Sequence, residues 1–266
     1  MHSSISQLVL ANLSMQDFFS QVKEAGYEAV ELSIQPKSAS FNYNTTDADL
    51  KAFKALSDEK GLPIESITIS NSKGNLVLAP ADAKECIEET AWALESAAKL
   101  GATAALHTLG RFTPELYYED AYKNAVANLK TLAPICEKLN VALAVEFVWS
   151  GFLFSPLEMR NFLNEVGSSH VGFYFDPGNM AVFQYPQHWV RALGKLTKRV
   201  HMKDWKGGPL NGQWTRLGEG ACDFKAIMCE LKKAGYDGPL VSEVSPSLAS
   251  LKDTADDIKA IIKKFA

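Results

Sequence analysis

The sequence predicts an α/β protein, a (β/α)8 TIM barrel formed as a single domain over residues 1–266. Three observations carry that expectation. Short apolar, β-prone runs alternate with longer segments of helical period, the pattern of repeated βα units and a parallel sheet. The phrase KEAGYEAVEL, Lys23 to Leu32, returns as KKAGYDGPLV, Lys232 to Val241, so one helix-to-strand junction is used again late in the chain. Units of roughly 30–40 residues repeated eight times build a barrel of about 250 residues.

Taken in order, the expected strands run from Ser6 to Leu10, Ala29 to Ile34, Ile64 to Ser70, Ala102 to His107, Val141 to Phe147, Val171 to Asp176, Val200 to Lys203 and Leu240 to Glu243. The helices between them are expected from Met15 to Ala25, Asp47 to Lys60, Ala81 to Leu100, Glu115 to Leu139, Pro156 to Val166, Trp189 to Leu193, Phe224 to Ala234 and Leu251 to Phe265. Gly26, Gly61, Gly101 and Gly235 each end a helical run before a strand, where a left-handed cap is needed. Asp47 and Asp223 stand where a carboxylate can cap the next helix. The longest loops, Ser70 to Pro80 and Trp205 to Ala221, follow strands and would rise over one rim as pocket walls. No Gly-rich phosphate fingerprint follows the first strand, which disfavours an open nucleotide-binding sheet.

Composition narrows the function. With 47% hydrophobic residues the chain can bury a large core, and a formal net charge of −4 gives no footprint for nucleic acid or an anionic membrane surface. A small-molecule partner is expected, with assembly into a homo-oligomer left open. Cys86, Cys136, Cys222 and Cys229 form no CxxC pair, so reduced, buried thiols are expected. The N-terminal stretch lacks the features of a signal peptide and no apolar run is long enough to span a bilayer, which points to the cytoplasm.

Polar residues stand where four apolar runs stop: Glu146 after VALAV, Asp176 after VGFYF, His201 after RV and Glu243 after GPLVS. A closed parallel barrel gathers such strand ends at one rim. Each residue alone has a plain structural reading: Glu146 and Glu243 as rim ion pairs, Asp176 as a turn starter in DPG, His201 as a hydrogen-bonded core residue. Together, three carboxylates and an imidazole form a hard donor set for one divalent ion, Mn²⁺ first and Mg²⁺, Co²⁺ or Zn²⁺ as alternatives. His107 is a fifth polar strand end that touches substrate, reaches a second metal position or packs. Lys203, two residues beyond His201, points to the same side and either holds a substrate oxygen or pairs with a carboxylate. Phe147, Trp149, Trp205 and Trp214 either line a polyol pocket or cover the barrel top. Arg216 and Glu219 flank LGEG and are candidate substrate contacts. No nucleophile elbow, HExxH helix or P-loop is present.

The series AVEF, FDPGN, HMKD, LGEG and YDGPLVSEV resembles the xylose isomerase-like barrel superfamily, the sugar phosphate isomerase/epimerase group. That group includes ketose 3-epimerases, hydroxypyruvate isomerase, inosose dehydratase, dehydroshikimate dehydratase and endonuclease IV. The resemblance implies that Glu146, Asp176, His201 and Glu243 bind one metal, with Glu146 and Glu243 also acting as the acid and base. His107 resembles the histidine found at the end of the fourth strand in several members. Many epimerases have histidine three residues after the metal-binding aspartate; here Asn179 stands there as a candidate substrate contact. The extra ligands of a three-metal endonuclease are missing from HMKDWKGG, so a DNA-repair role is disfavoured. The implied activity is a metal-dependent isomerase or epimerase that transfers a proton on a ketose or related polyol through a metal-stabilised enediolate. The alternative is a carbohydrate lyase of the inosose or dehydroshikimate dehydratase kind; a non-enzymatic sugar-binding protein is a further reading.

Overall fold

The computed structural model describes residues 1–266 apart from Ala39, Phe112 and Leu210. Eight parallel strands close into a barrel: β1 (His2–Ser6), β2 (Ala29–Ile34), β3 (Ile64–Ile69), β4 (Ala104–His107), β5 (Ala142–Glu146), β6 (Val171–Phe175), β7 (Thr197–Met202) and β10 (Pro239–Ser242). The ring closes where β10 pairs with both β1 and β7. Strands β8 (Asp204–Lys206) and β9 (Gln213–Thr215) form a separate antiparallel hairpin inside the loop that follows β7. Around the barrel lie α1 (Met15–Ala25), α2 (Asp47–Lys60), α3 (Lys84–Leu100), α4 (Tyr118–Leu139), α5 (Pro156–Val166), α6 (Pro177–Ala181), α7 (Pro186–Leu193), α8 (Phe224–Ala234) and α9 (Leu251–Phe265).

Aromatic rings fill the layer between strands and helices. Trp189 of α7 is buried against Phe173 of β6 and Phe147 after β5, with ring centroids 5.8 and 5.1 Å apart. Inside the barrel the packing is partly polar. Glu31, Ser66, Tyr174 and His201, from β2, β3, β6 and β7, are all buried and joined by hydrogen bonds. A polar interior persists only when its donors and acceptors satisfy one another.

The structure corrects several sequence expectations. The first strand is HSSIS, not Ser6 to Leu10; Ser6 instead caps a 3₁₀ turn over Gln7–Leu10, its Oγ accepting the Leu8 N–H. Buried Ser3 and Ser4 carry no apolar signal, so the adjacent LVL run drew the assignment. Helix α2 is capped by Thr46 rather than Asp47, in a capping box with Asp49. Asp223 does cap α8, accepting the Ala226 N–H at 2.9 Å. The helix expected at Trp189 begins at Pro186, and α6 is an additional turn of helix. Cys86, Cys136 and Cys222 are buried free thiols, whereas Cys229 is exposed. Among the described residues no helix is long and apolar enough to cross a membrane.

Candidate metal centre

All four strand-end residues meet at the C-terminal rim of the barrel. Glu146 is the last residue of β5, Asp176 follows β6, His201 lies near the end of β7 and Glu243 follows β10. One ligand atom from each lies within 4.8 Å of the other three. His201 Nδ1 is 3.3 Å from Glu146 Oε1, 3.7 Å from Glu243 Oε2 and 3.9 Å from Asp176 Oδ2. Small side-chain shifts bring such a set onto coordination bonds of about 2.0–2.2 Å.

Local structure holds each donor in place. Asp176 is the N-cap of α6, its Oδ1 accepting the Asn179 N–H at 3.1 Å while Pro177 opens the helix. Its other oxygen, Oδ2, is buried and ion-paired with Lys203 Nζ 2.9 Å away. A buried carboxylate oxygen that faces two more carboxylates and a ring nitrogen, with only an ammonium beside it, belongs to a donor set suited to a cation. The Asn179 side chain donates to Glu146 Oε1 at 3.2 Å and to the Phe147 carbonyl at 3.1 Å, so it orients Glu146.

Glu31 is the residue that sequence reasoning missed. Its Oε1 is 3.0 Å from His201 Nε2, while Oε2 accepts Ser66 Oγ–H at 2.7 Å and the Tyr174 hydroxyl. A carboxylate on the far ring nitrogen turns Nδ1 of His201 toward the cluster and fixes the ring. Its signal was available: a glutamate inside the apolar strand AVELSI needs a buried partner, as Glu146 does in VALAVEF.

The electrostatics divide the carboxylates. Burial, reinforced by Asp176 and Glu243, pushes the Glu146 carboxyl up to about 7 against the pull of His201. Burial also opposes ionisation of Asp176, but Lys203 and His201 outweigh it and hold that carboxyl below its ordinary range. Glu31 is likewise held low despite burial, by His201, Tyr174 and Ser66. Burial alone would lower His201; the charges of Glu243 and Glu31 raise it well above the ordinary imidazole value. Cation binding at Nδ1 therefore requires release of a proton.

Two cavities flank the cluster. One, of about 280 Å³, is lined by Glu146 with Thr68, Ser70, Asn71, Asn75 and His107. The other, of about 190 Å³, is lined by Glu243 with Lys203, Trp214, Thr215, Ser245 and Leu248. Each glutamate thus faces its own space. The wall of the second cavity is fastened by Asp204, which accepts four backbone N–H groups: those of Trp205 and Cys222 at Oδ1, and Gly218 and Gly220 at Oδ2. A Cβ on Gly220 would collide with Asp204 Oδ1, which accounts for the second glycine in LGEG.

The other predicted site residues fall in varied places. His107 borders the first cavity, but its ring nitrogens are engaged: Nδ1 accepts the Leu109 N–H at 2.8 Å and Nε2 donates to Asn71 Oδ1 at 2.7 Å. Lys203 reaches the cluster, paired with Glu243 and Asp176. Trp149 stacks on Trp214 at 5.2 Å and donates Nε1–H to the Asn179 carbonyl, bracing the rim from behind. Asn179 serves Glu146 and borders neither cavity. Arg216 is not brought to the cluster, because both Nε and Nη2 are bound by Asp257 of α9 at 2.7 and 2.8 Å.

Burial pulls the His107 pKa down to about 4, from 6.5. Between those values the unfolded chain binds a proton that the native ring refuses, so the native state is penalised as acid is added. The stabilisation is complete above pH 6.5 and is lost as the pH falls to 4, a change of roughly 3 kcal/mol at most. His107→Asn is expected to flatten this acid limb, checked by urea unfolding of both proteins at pH 7 and 4.5. An unchanged limb would show that His107 does not titrate in that window.

A sequence model of the family described as "Xylose isomerase-like TIM barrel" matches residues 19–264. Among curated proteins, the uncharacterized protein MJ1311 of Methanocaldococcus jannaschii is 26% identical over 168 residues. That alignment covers 60% of this chain and 55% of MJ1311, about half the length of that relative. A D-tagatose 3-epimerase-like protein superposes with a TM-score of 0.85 at 19% identity, covering 100% of this chain and 98% of that one. D-psicose 3-epimerase from Clostridium cellulolyticum H10, solved with D-tagatose, gives 0.81 at 16% identity over 99% and 98%. At these identities the likeness is one of fold.

Proposed function

Because the chain belongs to the xylose isomerase-like TIM barrel family and its strand ends gather a cation-binding donor set, we propose that it is a divalent-metal-dependent sugar isomerase or epimerase acting on a ketose or related polyol. The observation that carries the reading is the placement of Glu146 and Glu243 on one cluster, each opening into a different cavity. Two carboxylates reaching the same centre from separate spaces suit the removal of a proton at one position and its return at another. The D-psicose 3-epimerase and the D-tagatose 3-epimerase-like protein that share the barrel support the same class.

Glu146, Asp176, His201 and Glu243 would hold the dication, which would supply Lewis acidity toward a substrate carbonyl. The chain's own groups do the rest. Glu146, buried beside the first cavity, is placed to accept or give the proton, and Asn179 holds its Oε1 in place. Glu31 fixes the His201 ring. His107 frames the first cavity as a neutral wall, its nitrogens committed to Leu109 and Asn71. That cavity is bordered by neutral hydroxyl and amide groups and by no lysine or arginine among the described residues, which suits sugar hydroxyls better than a phosphate.

The test is incubation of metal-loaded protein with a panel of free ketoses and keto-polyols in D₂O, followed by NMR. Deuterium uptake at carbon with the oxygen content of the sugar retained is the expected result. Loss of a hydroxyl would transfer the protein to the lyases, and no exchange with any panel member or its phosphate ester would overturn the reading.

A further inference from the structure

We propose that Lys203 is a counter-cation built into the site: its ammonium holds two of the ligand oxygens in the metal-free protein and sets how tightly a divalent ion binds. The inference rests on the cation reading of the cluster given above. Lys203 Nζ is 2.6 Å from Glu243 Oε2 and 2.9 Å from Asp176 Oδ2. Those are the same two oxygens that face His201 Nδ1, so the ammonium sits on donors that a dication needs. Among the described residues, the four carboxylates Glu31, Glu146, Asp176 and Glu243 are ion-paired at this cluster with one lysine, Lys203, and one histidine, His201. Such an excess of negative charge in a buried place demands a positive partner when no metal is present.

The fold pins the lysine there. It follows His201 by two residues, which keeps it on the same side of the strand. A Cβ on Gly178 would lie 2.6 Å from Lys203 Cβ and 2.9 Å from Trp214 Cζ3, so glycine at the start of α6 gives the lysine stem and the indole their room. The Trp214 ring lies over the ammonium at 4.7 Å from its centroid, and the side chain is 16% exposed. An incoming dication must share oxygens with, or displace, a like charge held at contact distance, in surroundings that screen poorly. Removing that charge while keeping the stem should favour the dication.

The experiment compares the wild-type protein with Lys203→Met and Lys203→Gln by isothermal titration with Mn²⁺ and by thermal unfolding with and without the ion. Both variants are expected to bind Mn²⁺ at least tenfold more tightly than wild type. Their metal-free forms should unfold at lower temperature, and Mn²⁺ should close the gap. Refolding of a variant only in the presence of Mn²⁺ would support the proposal, since the ion then replaces the ammonium. Equal or weaker Mn²⁺ affinity in a folded variant, or failure of both to fold even with Mn²⁺, would overturn it. The underlying reading fails separately: wild-type protein that binds none of Mn²⁺, Mg²⁺, Co²⁺ or Zn²⁺, or that binds them equally well as Glu146→Gln, is not a cation site at this cluster.

Discussion

Glu146→Gln is expected to lower proton exchange on a substrate ketose by about 10²–10⁴-fold, the usual worth of a positioned acid or base. Glutamine has nearly the same shape, and its carbonyl oxygen can still accept the Asn179 N–H that now reaches Oε1 at 3.2 Å. The fold should therefore be kept. What is lost is the charge and the proton-accepting oxygen of a buried carboxylate. The cluster also loses one anionic donor, so weaker cation binding is expected alongside. Deuterium exchange measured at saturating Mn²⁺ separates the two effects: exchange that stays low at full occupancy assigns Glu146 to proton transfer, whereas exchange at the wild-type rate removes it from that role.

Glu31→Ala should have the largest effect on stability, roughly 3–5 kcal/mol, as expected when one partner of a buried charged pair is deleted. Three donors then face an empty space inside the barrel: His201 Nε2–H, the Tyr174 hydroxyl and Ser66 Oγ–H. Each was satisfied by the same carboxylate, which is itself fully buried. The ring of His201 also loses the group that fixes it, and cation affinity should fall by about 10–100-fold. Glu31→Gln keeps an acceptor but turns an NH₂ toward donors, so an intermediate loss is expected. Urea unfolding and Mn²⁺ titration check both; a stability within about 0.5 kcal/mol of wild type, the range of an ordinary surface change, would show that Glu31 is not the hub of this network.

The barrel was legible because its signals are local and repeated. Apolar period, glycine caps and the recurring AGY junction each report on a few neighbouring residues, and seven of the eight barrel strands lie at or near their expected positions. The first strand escaped because buried serines stand where β-branched residues were looked for. The four candidate ligands were legible because barrel closure turns four separated strand ends into one place. Glu31 was not, since attention to strand ends passes over a charge in mid-strand. The place of His107 was visible but its role was not: the capture of Nδ1 by the Leu109 N–H goes with a left-handed backbone at Leu109, φ +64°, at a residue type that rarely adopts it. Arg216 looked available only because Asp257 is 41 residues away and meets it through the last helix.

The Asp204 carboxylate grips the chain both where it leaves the barrel and where it returns. The N–H groups of Trp205 and Cys222, at the two feet of the excursion, bind one oxygen, and those of Gly218 and Gly220 bind the other. A single anion thereby acts as a buckle, and the paired strands β8 and β9 lie between its two grips. The turn is not free to vary, since a Cβ on Gly212 would collide with the Trp205 ring, so new substrate preferences are better sought at the strand end inside the buckle, where Trp214 and Thr215 line the second cavity.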